Sequence, residues 1–254
     1  TPDNFGINGD RPTHPELLDH LATKFVADGW SVKRLIQRLV LTRTYQLADS
    51  HDANNFEADP DNVYLWRHTR KRLEAEAIRD SILATSGKLE LERPKGSVVT
   101  IHNGKLIQDA LTPDKIHRPS NHRSVYLPIL RNGLPESLEV FDMADPSLVV
   151  GRRSVTTVPS QDLFLMNSKF VVENAEAFAQ RLLAEPIDDT QRISLAYVLA
   201  VSRKPTSAEQ SRAVKLIEEI ESSLSNDDKD KPKLAAWAAY CQALYVSAEF
   251  RHVR

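Results

Sequence analysis

The side chains able to do chemistry are few, and their spacings are informative. Histidine comes first, because metals and general bases favour it. His14 and His20 stand six residues apart and so face different sides of a helix, while His117 and His122 flank Pro119 in a loop. No His-Glu-x-x-His, His-x-His or Cys-x-x-Cys-His occurs, so neither a metal nor a covalently held haem is expected in this chain. Nucleophile and phosphate-loop motifs are missing as well: there is no Gly-x-Ser-x-Gly and no Walker or Rossmann glycine pattern. The single cysteine, Cys241, falls on the apolar stripe of a helix and reads as a buried, inert thiol.

Two charged constellations remain. One is Arg67, His68, Arg70, Lys71 and Arg72, followed by Glu74, Glu76, Arg79 and Asp80. Arg72 with Glu76 and Glu76 with Arg79 have helical pair spacing, which predicts a salt-bridged helix entrance; an anion site is the competing reading. The other is Arg131, Asp142, Asp145, Arg152 and Arg153, in a stretch punctuated by Gly133, Pro135, Pro146, Gly151 and Pro159. Arginine forks grip carboxylate, phosphate or sulfate bidentately. They grip Asp142 and Asp145 equally well, so Arg152 or Arg153 is expected to pair with one of these acids and lock the loop Arg131–Pro159 against the helices. The rival reading uses the two acids, three residues apart, for acid/base work.

These residues need a frame, and the frame reads as helical. Thr13 and Glu16 have capping-box spacing with Pro15 in the first turn. Leu18, Leu21, Ala22, Phe25 and Val26 then share one face up to Gly29. Ser31 caps a second helix striped by Val32, Leu35, Ile36, Leu39 and Val40, and the short link predicts a helical hairpin. Asp49–Asn62 reads as a long loop, and Leu73–Ser86 as a third helix closed by Gly87. In the middle, Ser97–His102 and Lys105–Gln108 flank Asn103-Gly104, which predicts a type I′ hairpin, and Ser124–Leu130 reads as a second strand. A short helix is expected over Glu136–Phe141.

The last third is helical again. Ser168 caps a helix with Val171, Ala175, Phe178 and Leu182 inward. Asp188–Val201 is apolar enough to be buried on most sides. Thr206 and Glu209 form a capping box, Ser225–Lys233 reads as a solvated loop, and Trp237, Cys241, Leu244 and Ala248 stripe the final helix. The expected fold is mostly α, helical hairpins packed in one globular unit, with a small antiparallel β element in the middle. One domain is expected, with sub-regions 1–90 helical, 91–160 hairpin and ordered loop, and 161–254 helical.

Composition bounds the function class. The chain has 254 residues, 41% hydrophobic and 27% charged, with a net charge of −2. That excludes bulk disorder. With 33 basic residues against 35 acidic ones there is no surplus to neutralise phosphates, so nucleic acid is not an expected partner. One cysteine excludes an intrachain disulfide, and no apolar run approaches the roughly 20 residues of a membrane span. The chain starts at Thr1 with no signal-peptide pattern and reads as a piece of a longer protein.

From Arg123 onward a set of motifs occurs together: Arg123-Ser124-Val125-Tyr126-Leu127-Pro128, Arg131-Asn132, Leu134-Pro135, Phe141-Asp142, Asp145-Pro146, Gly151-Arg152-Arg153, Thr156-Thr157-Val158-Pro159 and Met166-Asn167-Ser168. Thr13-His14-Pro15-Glu16-Leu17-Leu18, Thr44-Tyr45, Trp66-Arg67, Arg72-Leu73-Glu74-Ala75-Glu76-Ala77-Ile78-Arg79-Asp80 and Glu249-Phe250 join it. Together they resemble the planctomycete domain of unknown function found at the C-terminus of cytochrome-c-containing multidomain proteins. The resemblance spans nearly the whole chain and is thinnest over Glu92–Asn121. It implies an exported, extracytoplasmic setting, periplasmic or cell-surface, with haem only in a separate domain of the full protein. It implies no reaction.

The leading expectation is therefore a non-catalytic module that binds other domains of the same polypeptide, or a polysaccharide or anionic ligand. The candidate ligand residues are Arg131, Asp142, Asp145, Arg152 and Arg153. The alternative is a hydrolase or other enzyme acting on complex polysaccharide through the same segment. Exposed, unpaired carboxylates in a pocket would favour the enzyme, and engaged ones the structural role. A third reading is an electron-transfer docking surface near Trp30 or Trp66.

Overall fold

Capping and apolar spacing shape most of the chain into helices. The computed structural model describes residues 4, 6–96, 119–129, 133–224 and 230–253. The fold is mostly α with a small antiparallel β element, as expected, but the described strands pair residues 71–72 with 252–253 rather than lying in the middle of the chain. The Asn103-Gly104 hairpin, His117 and Arg131 lie outside the described residues. The chain divides into two units, Thr1–Arg72 with His252–Arg254, and Leu73–Arg251.

In the first unit, α1 (Pro15–Ala27) and α2 (Val32–Val40) pack on each other, as the short link predicts. The Ser31 hydroxyl accepts the Arg34 N–H at 3.3 Å, and Gly29 takes the left-handed φ of +70° that ends α1. The Thr13 capping box does not form. His14 is the N-cap residue, and the Thr13 hydroxyl bonds His14 Nδ1 at 3.0 Å instead. Neither helix has a fully buried residue: Leu21, Phe25 and Leu35 are half-buried, and the rest of the expected apolar face is exposed. So small a unit has little interior in which to hide such a face. The expected loop after Asp49 contains α3 (Ala53–Ala58), begun where the Asp52 carboxylate accepts the Asn55 N–H at 2.9 Å. β1 (Lys71–Arg72) pairs antiparallel with β2 (His252–Val253), Lys71 opposite Val253.

The second unit carries the core. α4 (Ala75–Ser86) ends at Gly87, where a φ of +78° suits glycine. Ser124–Tyr126 is a 3₁₀ turn, not the strand expected from its β-branched and aromatic residues. Val125 and Tyr126 are exposed, and Ser124 is fixed by α4 side chains. α5 (Glu136–Glu139) is shorter than predicted. α6 (Pro159–Asn167), α7 (Lys169–Leu183), α8 (Asp189–Val201), α9 (Ser207–Ser223), α10 (Asp230–Val246) and α11 (Ala248–Arg251) follow. The Thr206/Glu209 capping box forms, with Glu209 N donating to Thr206 Oγ1 at 3.3 Å and Thr206 N to Glu209 at 2.7 Å. α8 is less buried than its apolarity predicts: Arg192, Ile193 and Ala196 are inside and Val198 is exposed.

α10 is the central element, packed against α7 on one side and α9 on another. It starts at Asp230, earlier than the loop reading of Ser225–Lys233 allowed, because Pro232 fits a first helical turn. Trp237, Tyr240, Cys241, Leu244 and Tyr245 are buried along it, whereas Ala248 lies past the helix break and is exposed. Phe178 stacks on Tyr245 with centroids 6.0 Å apart, and the Tyr245 and Thr85 hydroxyls are bonded at 2.7 Å. Ile78, Ile82, Leu138, Phe141, Leu165 and Leu182 complete the cluster.

Candidate functional site

The Arg/Asp loop closes onto the first turns of α4. Apolar spacing turns Ala75, Ile78 and Ile82 into the core, which leaves Glu76, Arg79 and Asp80 to face the following segments. Arg153 forms a fork on Glu76, Nη1 to Oε2 at 2.6 Å and Nη2 to Oε1 at 2.9 Å, and its Nη1 lies 3.4 Å from Glu74. This pairing replaces two expected ones. Arg153 does not take Asp142 or Asp145, and Glu76 takes its cation from a residue 77 positions on rather than from Arg72 or Arg79. The Arg153 fork holds the Glu76 carboxyl below its ordinary range, against a smaller opposing effect of burial.

Asp142 sits in the left-handed region at φ +60°, and its carboxylate accepts the Thr156 N–H at 2.8 Å and the Thr156 hydroxyl at 2.9 Å. Buried Gln161 at the start of α6 donates to the Thr156 carbonyl at 3.3 Å. Asp145 accepts the Ser147 N–H at 2.8 Å and hydroxyl at 2.5 Å, which lowers its pKa from the ordinary carboxylate range. Arg152 is exposed and holds no ion pair among the described residues. Of the sequence candidates, Asp142, Asp145 and Arg153 are each committed to bonds that shape the loop. The two acids are held by backbone and hydroxyl donors within the loop.

Arg79 does similar work one turn further along α4. Buried among carbonyls, it donates to His122 O at 3.0 Å, to Ser124 Oγ at 3.1 Å and to Ser120 O. Asp80 Oδ1 accepts the Ser124 N–H at 2.8 Å and hydroxyl at 2.6 Å. The Arg72–Asp80 motif thus folds two distant segments against one helix.

Arg67, His68 and Arg70 do not flank a helix entrance. They line a cleft of about 390 Å³ in the first unit, together with Asp49, His51 and Asp61. Sequence reasoning missed the last three as partners; the turn residues Asp59-Pro60-Asp61-Asn62 were their only signal. Asp59 accepts the N–H groups of Val63 at 2.9 Å and Tyr64 at 2.8 Å, while Asn62, at φ +55°, donates to Arg67 O at 2.9 Å. His68 N–H donates to Ala48 O at 3.0 Å, which brings residues 48–51 to the same cleft. No group of three or more potential metal ligands occurs among the described residues.

A mostly-α protein whose loops are tied to helices by arginine and carboxylate bonds is what this geometry defines. The family model described as PSD1, protein of unknown function (DUF1553), matches residues 1–217, and the chain belongs to that family. Searches of curated proteins and of solved structures found no match.

Proposed function

We propose that this chain is a non-catalytic assembly module of an exported, cytochrome-c-containing multidomain protein of the planctomycete type, and that α2 docks the haem-bearing part of the same polypeptide. The observation that carries this reading is the state of α2. Val32, Ile36, Leu39 and Val40 lie on one face at helical spacing, and all are exposed, Val32 at 59% and Ile36 at 54%. Trp30 and Leu41 extend the patch at the two ends. Contiguous apolar surface of this kind marks an interaction site. Lys33 and Arg34 flank the stripe and no acid occurs within α2, which suits a partner whose apolar patch has an acidic rim; Arg38 is paired with Asp28 at 2.8 Å. The engagement of Asp142 by Thr156 and of Asp145 by Ser147 supports a structural role for the loop over a hydrolytic one.

The test mixes the 254-residue chain with the separately produced haem-bearing remainder of its polypeptide and follows association by calorimetry. Binding in the micromolar range, about −8 kcal/mol, is expected to weaken with salt. The pair Val32→Asp and Ile36→Asp should weaken it at least about tenfold while circular dichroism keeps its helical signal. No association at about 100 µM, or a double variant that binds like wild type, overturns the proposal. Self-association of the chain that the same variants abolish would make a second copy the occupant instead, and would also overturn it.

A further inference from the structure

We infer that the cleft between residues 48–51 and 59–70 is a binding site for a hydroxylated monocarboxylate of the sugar-acid type. The inference is independent of the docking face on α2. The cleft lies within the roughly 300–1,000 Å³ range of small-molecule sites, and its frame is built of bonds to backbone carbonyls: His68 N–H to Ala48 O, Asn62 Nδ2 to Arg67 O, and Trp66 Nε1–H to Asp59 O at 3.0 Å.

Three groups of the wall select the ligand. Arg70 is already spent on Asp49, at 2.5 Å. Arg67 is not. Its guanidinium carbon lies 4.6 Å from the Trp66 ring centroid and 5.8 Å from that of Phe56, and it has no acidic or carbonyl partner among the described residues. A half-buried guanidinium held by two aromatic faces keeps its fork ordered for a planar oxyanion. Asp61, on the same wall, is exposed and has no hydrogen-bond partner among the described residues. It offers an acceptor to a hydroxyl. Thr69 Oγ1 accepts from Asn62 Nδ2 at 3.1 Å, which leaves its own proton to donate. The ligand that answers all three is one carboxylate on a polyhydroxylated body. Two arginines against two aspartates leave the wall without net charge, so a second negative charge on the ligand would meet Asp61 or Asp49 without compensation.

The experiment titrates the full 254-residue chain with glucuronate, glucose, acetate and inorganic sulfate, following the Trp66 indole N–H by nitrogen-15 NMR. Glucuronate should shift that signal with saturation in the millimolar range or tighter, and glucose and acetate should each bind at least about tenfold more weakly. Arg67→Ala should abolish the shift, and Arg67→Lys should restore only part of it, since an ammonium lacks the fork. Because Arg67 also packs on two rings, Asp61→Asn serves as a second variant at an exposed position: it trades an ionised acceptor for a neutral amide and should lower the preference for glucuronate over acetate at least about threefold. Absence of a glucuronate shift at about 10 mM overturns the site, as does unaltered binding in both Arg67→Ala and Asp61→Asn. Sulfate or acetate binding as tightly as glucuronate overturns the assigned ligand class.

Discussion

Arg153→Ala tests the link between the Arg/Asp loop and α4. The variant removes two charge-assisted hydrogen bonds, at 2.6 and 2.9 Å, and leaves Glu76 without its cation. The two side chains are 33% and 26% exposed, so the pair is neither a surface bridge nor a fully buried one. Surface pairs contribute about 0–1 kcal/mol, and removing one partner of a buried pair costs about 3–5 kcal/mol. A bidentate pair one-third exposed falls between, at about 2 kcal/mol, of which a double-mutant cycle with Glu76→Ala should recover about 1–2 kcal/mol as coupling. In a folding unit of this size that lowers Tm by about 4–8 °C, measured by calorimetry at pH 7. The pH dependence has a definite sign. Arg153 depresses the Glu76 pKa in the folded state, so the stabilisation is complete above the ordinary glutamate pKa of about 4.3 and is lost as pH falls through the lower folded value. The Tm gap between wild type and Arg153→Ala should therefore be widest near neutrality and close in strong acid. Single variants that melt within about 1 °C of wild type, or a cycle with no coupling, would refute the reasoning.

Arg152→Ala, one residue away but exposed, should change stability by less than about 0.5 kcal/mol in the same assay. Arg203 donates to both Glu209 and Glu249 at 2.6–2.8 Å and, with the Thr206 amide and hydroxyl, holds the Glu209 carboxyl at about 2; in Arg203→Ala a carboxylate titration by NMR should find Glu209 raised but still held below its ordinary value by Thr206. Burial pushes the Cys241 thiol pKa well up, so a thiol reagent should label the native protein slowly and the denatured protein at once. Trp237→Ala, at the fully buried centre of α10, should cost about 3–5 kcal/mol by denaturant titration.

Much of the fold is legible in the residues, because local rules act over three or four positions. The Thr206/Glu209 box, the Ser31 cap, Gly87 as a terminator and the apolar stripe through Trp237 and Cys241 all follow from spacing alone. Several local signals misled, among them the Ser168 cap, whose side chain makes no capping bond. Thr13 is one position out of register with its helix, and the strand-like run at Ser124 curls into a turn because α4 offers Asp80 to its amide and hydroxyl. The candidate site was half visible. Arg153 and Asp142 stand out as charged residues in a proline-rich loop, but their partners do not, because Glu76 and Thr156 are 77 and 14 residues away and a charge pattern carries no record of distance in space. Likewise, the apolar stripe of α2 predicts a buried face. Only the tertiary structure shows that face exposed, since periodicity encodes which residues share a surface and not what, if anything, lies against it.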